Sequence, residues 1–420
     1  MGIRGIIRNV HSIGIKNTYE LHQYRKPDVP AKEQRAYFFK ELFPLVYESA
    51  SKKPVKHKVV IMERGERLSL NFQYLIKYLK ENTDYEIDIH VLQFRAAPLK
   101  EYYSKAANYV RSAATAEAIF VCTANDIMGH FELRPETTYI QLWHACGAFK
   151  KFGLSTVDKK FGKSATSHLE YPVNTNYSYV TVSSPTVTWV FEQAMGIKPE
   201  SGIVLPVGVS RTDAFFDEEY IRNSRYKIMQ LIPATKTKKI ILYAPTFRGE
   251  VSKATSPDEL DIGLLEKSLG SEYILITKHH QSVKQPPKIP EEYEGFFAFD
   301  MTRGKGITIN ELMSVADIMI TDYSSVAFEY SLFTRPMLFF AFDLENYVDY
   351  RGLYYPYSEI TPGPVVKTTQ DIVDYIVNID TRFEAQKVID FQKRFMSACD
   401  GHSTERIVKL IGKANHFGTS

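Results

Sequence analysis

The sequence predicts an α/β protein built from two doubly wound halves. Short β-rich runs alternate with helix-period segments along most of the chain, the signature of stacked βαβ units. At roughly 100–200 residues per domain, 420 residues make two domains, and a Pro/Gly turn at Leu205 to Ser210 breaks the alternation near its middle. A composition that is 44% hydrophobic and 13% aromatic supplies sizeable cores and excludes a disordered chain.

The elements follow in order. Residues 1–50 form a basic and aromatic helical leader. Its first 26 residues carry Arg4, Arg8, Lys16, Arg25 and Lys26 against Glu20 alone, which exceeds the whole-chain surplus of +3. Ile3, Ile6, Ile7, Val10 and Ile13 share one helical face while Arg4 and Arg8 fall on the other. That pattern suits a membrane-interfacial helix and equally a helix packed on its own domain. A second helical stretch runs from Tyr37 to Tyr47. Residues 51–207 then give strands near Lys58–Met62, Glu86–Phe94, Ala118–Cys122, Thr138–Trp143, Tyr179–Ser183 and Gly202–Leu205, with helices at Leu68–Leu79 and Leu99–Ala113. Residues 208–420 give strands at Lys239–Ala244, Tyr273–Thr277, Gly295–Phe299, Asp317–Thr321 and Met337–Phe342. Helices lie between them at Asp217–Leu231, Asp261–Leu269, Ile309–Ala316 and Ser324–Phe333, and three more close the chain at Thr369–Asn378, Arg382–Met396 and Ser403–Ile411.

Several classes are excluded. Balanced charge argues against nucleic acid as a partner over the whole surface. No run approaches the 18 apolar residues of a spanning helix, and neither a signal peptide nor a myristoylation signal is readable. Cys122, Cys146 and Cys399 form no C-x-x-C pair, so neither a disulfide framework nor a zinc ribbon is supported, and a reducing cytoplasm fits best.

In doubly wound sheets ligands bind beyond the carboxyl ends of the strands, so chemistry is sought in the loops there. After Thr321 the chain reads Asp322-Tyr-Ser324-Ser325, a strand running into a helix. The two serines suit a helix cap or a phosphate site, and Glu329 one turn on could accept from a ribose diol. After Trp143 come His144 and Gly147, a histidine with a pKa near neutrality followed by small residues, then Lys150. Thr246 and Arg248 follow another strand, adding a hydroxyl and a guanidinium matched to phosphate oxygens. Lys278-His279-His280 closes a third; no carboxylate at ligand spacing follows, so metal is disfavoured.

Taken together these segments resemble the CDP-glycerol:poly(glycerophosphate) glycerophosphotransferase family, which primes and polymerises teichoic acid and related capsular polymers. The resemblance spans about Lys58 to Ile411. It is carried by Ile320-Thr-Asp-Tyr-Ser-Ser-Val326, Gln141-Leu-Trp-His-Ala-Cys-Gly147, Tyr243-Ala-Pro-Thr-Phe-Arg248, Asn310-Glu-Leu312, Arg335-Pro336, Phe342 to Tyr347, Arg351-Gly352 and Asp400 to Arg406. Three places depart from the family pattern: WHGTPLK becomes His144-Ala-Cys-Gly-Ala-Phe-Lys150, K-x-H-P becomes Lys278-His-His-Gln281, and an aspartate becomes Glu329.

The resemblance implies a GT-B fold and transfer of glycerol phosphate from CDP-glycerol to the terminal hydroxyl of a lipid-linked polyol-phosphate acceptor, with CMP leaving. His144 and His280 would be the catalytic pair, His144 taking the hydroxyl proton. Ser324, Ser325, Arg248, Thr246, Glu329, Asp322, Gly147, Lys150, Lys278 and Arg351 would bind substrate. No tightly bound cofactor is implied; without a D-x-D motif Mg²⁺ is compatible but not demanded. The enzyme would sit at the inner face of the membrane, with the leader and Lys150, Lys151, Lys159, Lys160 and Lys163 facing anionic lipid. Oligomerisation is left open. CDP-ribitol as donor, a UDP-sugar glycosyltransferase on the same fold, and a non-enzymatic membrane-surface scaffold are the alternatives.

Overall fold

The computed structural model describes residues 3–413 except 27, 94–97, 158, 160, 161, 163 and 305, and describes no side chains for 3–12 and 348–351. Two six-stranded, wholly parallel sheets organise it. The first contains β1 (Lys56–Glu63), β2 (Glu86–Val91), β3 (Ala116–Val121), β4 (Thr138–Gln141), β5 (Tyr179–Thr181) and β6 (Val204–Leu205), in the order β2-β1-β3-β4-β5-β6. The second contains β7 (Lys239–Tyr243), β8 (Tyr273–Thr277), β9 (Ala298–Asp300), β10 (Ile318–Thr321), β11 (Met337–Phe340) and β12 (Val365–Val366), in the order β12-β11-β10-β7-β8-β9. Central strands covered on both faces need continuous apolar runs. Val59, Val60 and Ile61 of β1, and Ile318, Met319 and Ile320 of β10, meet that need and are buried.

Strand order locates the crevices. The second sheet has the dinucleotide-binding order, so its direction of winding reverses between β7 and β10, and the loops after Tyr243 and Thr321 open at that switch point. The first sheet reverses between β1 and β3, beside the loop after β4 that carries His144.

Differences from the sequence reading have local causes. β9 starts at Ala298, not Gly295, because Gly295 has φ +74° and its N–H closes a turn onto the Ala298 carbonyl at 3.0 Å. β12 is a two-residue edge strand, too short to show a period, and the helix Thr188–Met195 was likewise not predicted. The stretch from Tyr37 to Tyr47 contains a π turn at Phe38–Leu42. It falls just before Pro44, which has no N–H to continue the α ladder, and Phe43 N–H reaches back to the Phe38 carbonyl instead.

The leader helix Ile3–Tyr24 breaks at Gly14, where φ is +82°. Beyond the break it packs on the first core: Leu21 is buried, and the Tyr24 ring stacks on Tyr37 at 4.1 Å. The last two helices, Ala385–Phe395 and Ser403–Val408, cross back to the first sheet from the second half. Phe391 and Phe395 join its core, Ser183 donates to the Phe395 carbonyl at 2.7 Å, and Asp213 accepts from the N–H groups of Ser403 and Thr404 at 3.0 and 2.7 Å.

Candidate active site

Where β4 ends, the chain turns through Trp143, a non-glycine residue at φ +57°. Backbone in that region is costly and persists only when neighbours over-determine it. Gln141 accepts from Trp143 N–H at 2.9 Å and Asn71 donates to the Trp143 carbonyl at 2.8 Å. The turn presents His144 to the cleft with its ring 4.4 Å from the Trp143 ring. His144 Nδ1 lies 3.2 Å from the Cys122 carbonyl oxygen. A carbonyl can only accept, so Nδ1 carries the proton and Nε2 keeps its lone pair. The crowded surroundings and the Arg211 charge both lower the pKa of this imidazole, although the residue is exposed to solvent.

His280, after β8, has the opposite tautomer. Its Nδ1 accepts from the Ser282 N–H at 3.1 Å, leaving the proton on Nε2. Burial and then the positive charge of Lys150 lower its pKa. Lys150 belongs to the first half, so its influence on His280 shows the two halves converging here. The contact is also steric: Lys150 pairs with Leu353 in an isolated antiparallel bridge, and Phe149 packs edge-on to Phe328 and Tyr357.

At the switch point of the second sheet Asp322 is buried and organises both loops. One carboxylate oxygen accepts from Thr246 N–H at 2.8 Å and Tyr323 N–H at 2.6 Å, and the other accepts from Arg248 at 2.9 Å. Arg248 also grips Asp343 with two N–H groups at 2.7 and 3.0 Å and donates to the Thr246 carbonyl at 2.6 Å. Burial alone would lower its pKa; the two carboxylates outweigh that and raise it. Four of its five donors are thus occupied within the protein. Arg248 and Asp322 tie the two loops and Asp343 together.

Lys278 differs from the expectation for the same reason: its ammonium donates to the Met301 and Ile307 carbonyls at 2.5 and 2.8 Å, and burial lowers its pKa. Gly147 serves packing as well. It has φ +61°, and a Cβ there would lie 2.3 Å from the Phe328 ring. His279 is buried and bonded to the Ser256 hydroxyl at 2.6 Å. Glu329 is fully buried and paired with Arg211, with its second carboxylate oxygen unpartnered. The side chain of Arg351 lies outside the described residues.

Three groups stay available to a ligand at the switch point. Ser324 and Ser325 are half-buried; Ser324 Oγ accepts from Val326 N–H at a long 3.4 Å and the Ser325 side chain caps nothing. The buried Thr246 hydroxyl has no partner. The helix that follows, Val326–Ser331, has only six residues, so its dipole is small and hydroxyls and N–H groups matter more. Arg211 and Asn71 were missed by the sequence reading. Neither lies after a predicted strand of interest, and their partners are 67 to 140 residues away.

Among the described residues no group of three or more His, Cys, Asp or Glu could hold a metal ion, and no helix is long and apolar enough to cross a membrane. Cavities of about 250 and 960 Å³ open elsewhere, beside Tyr74 and His402 and beside Ile13 and Lys58.

Two Rossmann-like parallel sheets, one in each half, define a GT-B fold. The wall teichoic acid polymerase TagF has that fold: its structure superposes with a TM-score of 0.73 at 21% identity, covering 98% of each chain. The chain belongs to the CDP-glycerol:poly(glycerophosphate) glycerophosphotransferase family, whose model matches residues 45–413. It is 34% identical over 377 residues to the teichoic acid poly(ribitol-phosphate) polymerase of Bacillus spizizenii, a match covering 88% of this chain and 58% of that protein's length. It is 32% identical over 278 residues to the teichoic acid glycerol-phosphate primase of Bacillus subtilis, covering 66% of this chain and 68% of the relative.

Proposed function

We propose that the protein transfers glycerol phosphate from CDP-glycerol to the terminal hydroxyl of a lipid-linked polyol-phosphate acceptor and releases CMP. The observation that carries this reading is the pair of neutral histidines in opposite tautomers, one from each half. The acceptor hydroxyl gives its proton to His144 Nε2 and attacks the β-phosphorus. His280 Nε2–H donates to the phosphate oxygens as charge moves onto the departing CMP, since phosphoryl transfer depends on positioning and electrostatics. Ser324, Ser325 and Thr246 supply hydroxyls to the pyrophosphate, and Lys150 supplies charge from across the cleft. Arg248, Asp322 and Lys278 support these loops from behind. The reading requires no tightly bound cofactor; turnover with and without EDTA, then with Mg²⁺ restored, checks that.

CDP-ribitol is the second reading, favoured by the identity to a ribitol-phosphate polymerase. Incubation with each CDP-alcohol and a lipid-linked acceptor, following CMP release, decides the donor. Competition by UDP rather than CMP would overturn both readings in favour of a sugar transferase.

The acceptor's lipid places the work at a membrane surface. Supporting this, a groove of about 960 Å³ beside the leader at Ile13 and Gly14 is lined by the cations Lys52, Lys53, Lys56, Lys58 and Arg111 against the carboxylates Glu48 and Asp88. Of the second basic cluster, Lys160 and Lys163 lie outside the described residues, while Lys150, Lys151 and Lys159 are described.

A further inference from the structure

We propose that Arg211 and Asn71 are positioning residues that clamp the turn carrying His144 and, through Glu329, register it against the donor-side half. The inference rests on the reading of His144 as the base. Arg211 sits in the segment that joins the two halves, in the 3₁₀ turn Ser210–Phe216 that follows β6 after the Pro/Gly turn. From there it reaches into both halves. One terminal nitrogen donates to the His144 carbonyl at 2.8 Å, and the other is paired with the buried carboxylate of Glu329, in the helix that follows Ser324 and Ser325.

Asn71 completes the clamp. Its Nδ2 donates to the Trp143 carbonyl at 2.8 Å, its Oδ1 accepts from the Arg211 backbone N–H at 2.9 Å, and its own carbonyl accepts from the Ser210 hydroxyl at 3.0 Å. The carbonyls of two consecutive residues, Trp143 and His144, are therefore held by two side chains that are themselves tied together. Trp143 is the residue at φ +57°, a conformation that needs such restraint. Asn71 is 2% exposed and Glu329 0%, so neither could be serving solvent. A continuous chain of contacts thus runs from the base, through the interdomain segment, to the donor helix, and domain approach and presentation of Nε2 are set by the same guanidinium.

Charge adds to geometry. The groups that act on His144 are the Arg211 guanidinium, with the Glu329 carboxylate paired behind it, and the Cys122 carbonyl. The Cys122 thiol is pushed up by burial and is neutral. Arg211 is the cation that disfavours the imidazolium. Its removal should raise the pKa of His144, so the acid limb of the kcat–pH profile should move to higher pH.

The test compares Arg211→Met, Arg211→Lys, Asn71→Asp and His144→Ala in the full chain, with CDP-glycerol or CDP-ribitol as donor and CMP release as readout. Arg211→Met should lose about 10- to 100-fold in kcat with donor KM changed less than threefold, and its acid limb should move up. Arg211→Lys should restore the limb but not the full turnover, because one ammonium cannot reach both carbonyl and carboxylate. Asn71→Asp, which keeps the acceptor to Arg211 but loses the donor to Trp143, should also lose kcat. Should Arg211→Met prove unfolded by circular dichroism, Arg211→Lys and Asn71→Asp carry the test. Wild-type turnover and limb in these variants, beside an inactive His144→Ala enzyme, would overturn the clamp alone. An active His144→Ala enzyme would overturn the base reading and the clamp with it.

Discussion

His144 keeps a free imine nitrogen only because the Cys122 carbonyl fixes its other proton, and it stays unprotonated because its pKa lies below the ordinary histidine value. Replacing it with alanine should lower kcat about 10²–10⁴-fold, with CMP affinity by calorimetry nearly unchanged. The pH profile tests the same assignment. The proposed mechanism uses both histidines in their neutral forms, and both have lowered pKa values, so kcat/KM should hold as pH falls through about 6.5 and decline only below it. An acid limb centred above that value would contradict the depressed pKa. Exchanging both Ser324 and Ser325 for alanine should weaken CDP-alcohol binding, each hydrogen bond to a charged phosphate being worth about 1.5–3 kcal/mol. Unchanged donor affinity in the folded double variant would leave those serines as parts of the turn and nothing more.

Elements explain what the sequence could and could not reveal. The strand Tyr273–Thr277 and the helix Leu99–Ala113 were legible to the residue, because burial on both faces leaves a continuous apolar run and a helical stripe leaves a period. Loops leave none. Arg248 and Lys278 follow strands and carry charge, so they read as substrate-binding residues. What decides their role is a carboxylate 74 or 95 residues away for Arg248, and a loop of carbonyls 23 to 29 residues on for Lys278. Gly147 shows the same limit: a small residue before a ligand loop suggests close approach of substrate, yet what approaches is Phe328 of the other half. Gly147→Ala should therefore cost about 1–3 kcal/mol by overpacking, with added strain from its positive φ. Urea unfolding reads that cost, and a variant as stable as the parent would show that the loop can yield.

At the scale of the whole molecule the leader is divided by its own break at Gly14. Beyond it, Leu21 and Tyr24 are part of the first core, and the Tyr37 hydroxyl donates to the Asn17 carbonyl at 3.3 Å. Before it lie the residues whose sequence pairs an apolar face with Arg4 and Arg8. The two readings of the leader thus apply to different segments: the part after the break holds the domain together, and the part before it is the candidate for a lipid surface. Deleting residues 1–12 should leave the thermal transition and turnover on a short soluble acceptor nearly unchanged. Binding to vesicles containing anionic lipid should fall, since each cation near such a surface contributes about 1 kcal/mol, and what remains should weaken with salt. Deleting residues 1–24 should instead destabilise the fold, because Tyr24 and Leu21 would leave the core. A shorter deletion that unfolds the protein would place the first segment in the core as well. A folded deletion variant with undiminished vesicle binding would move the membrane contact to the second basic cluster, of which Lys150, Lys151 and Lys159 are described.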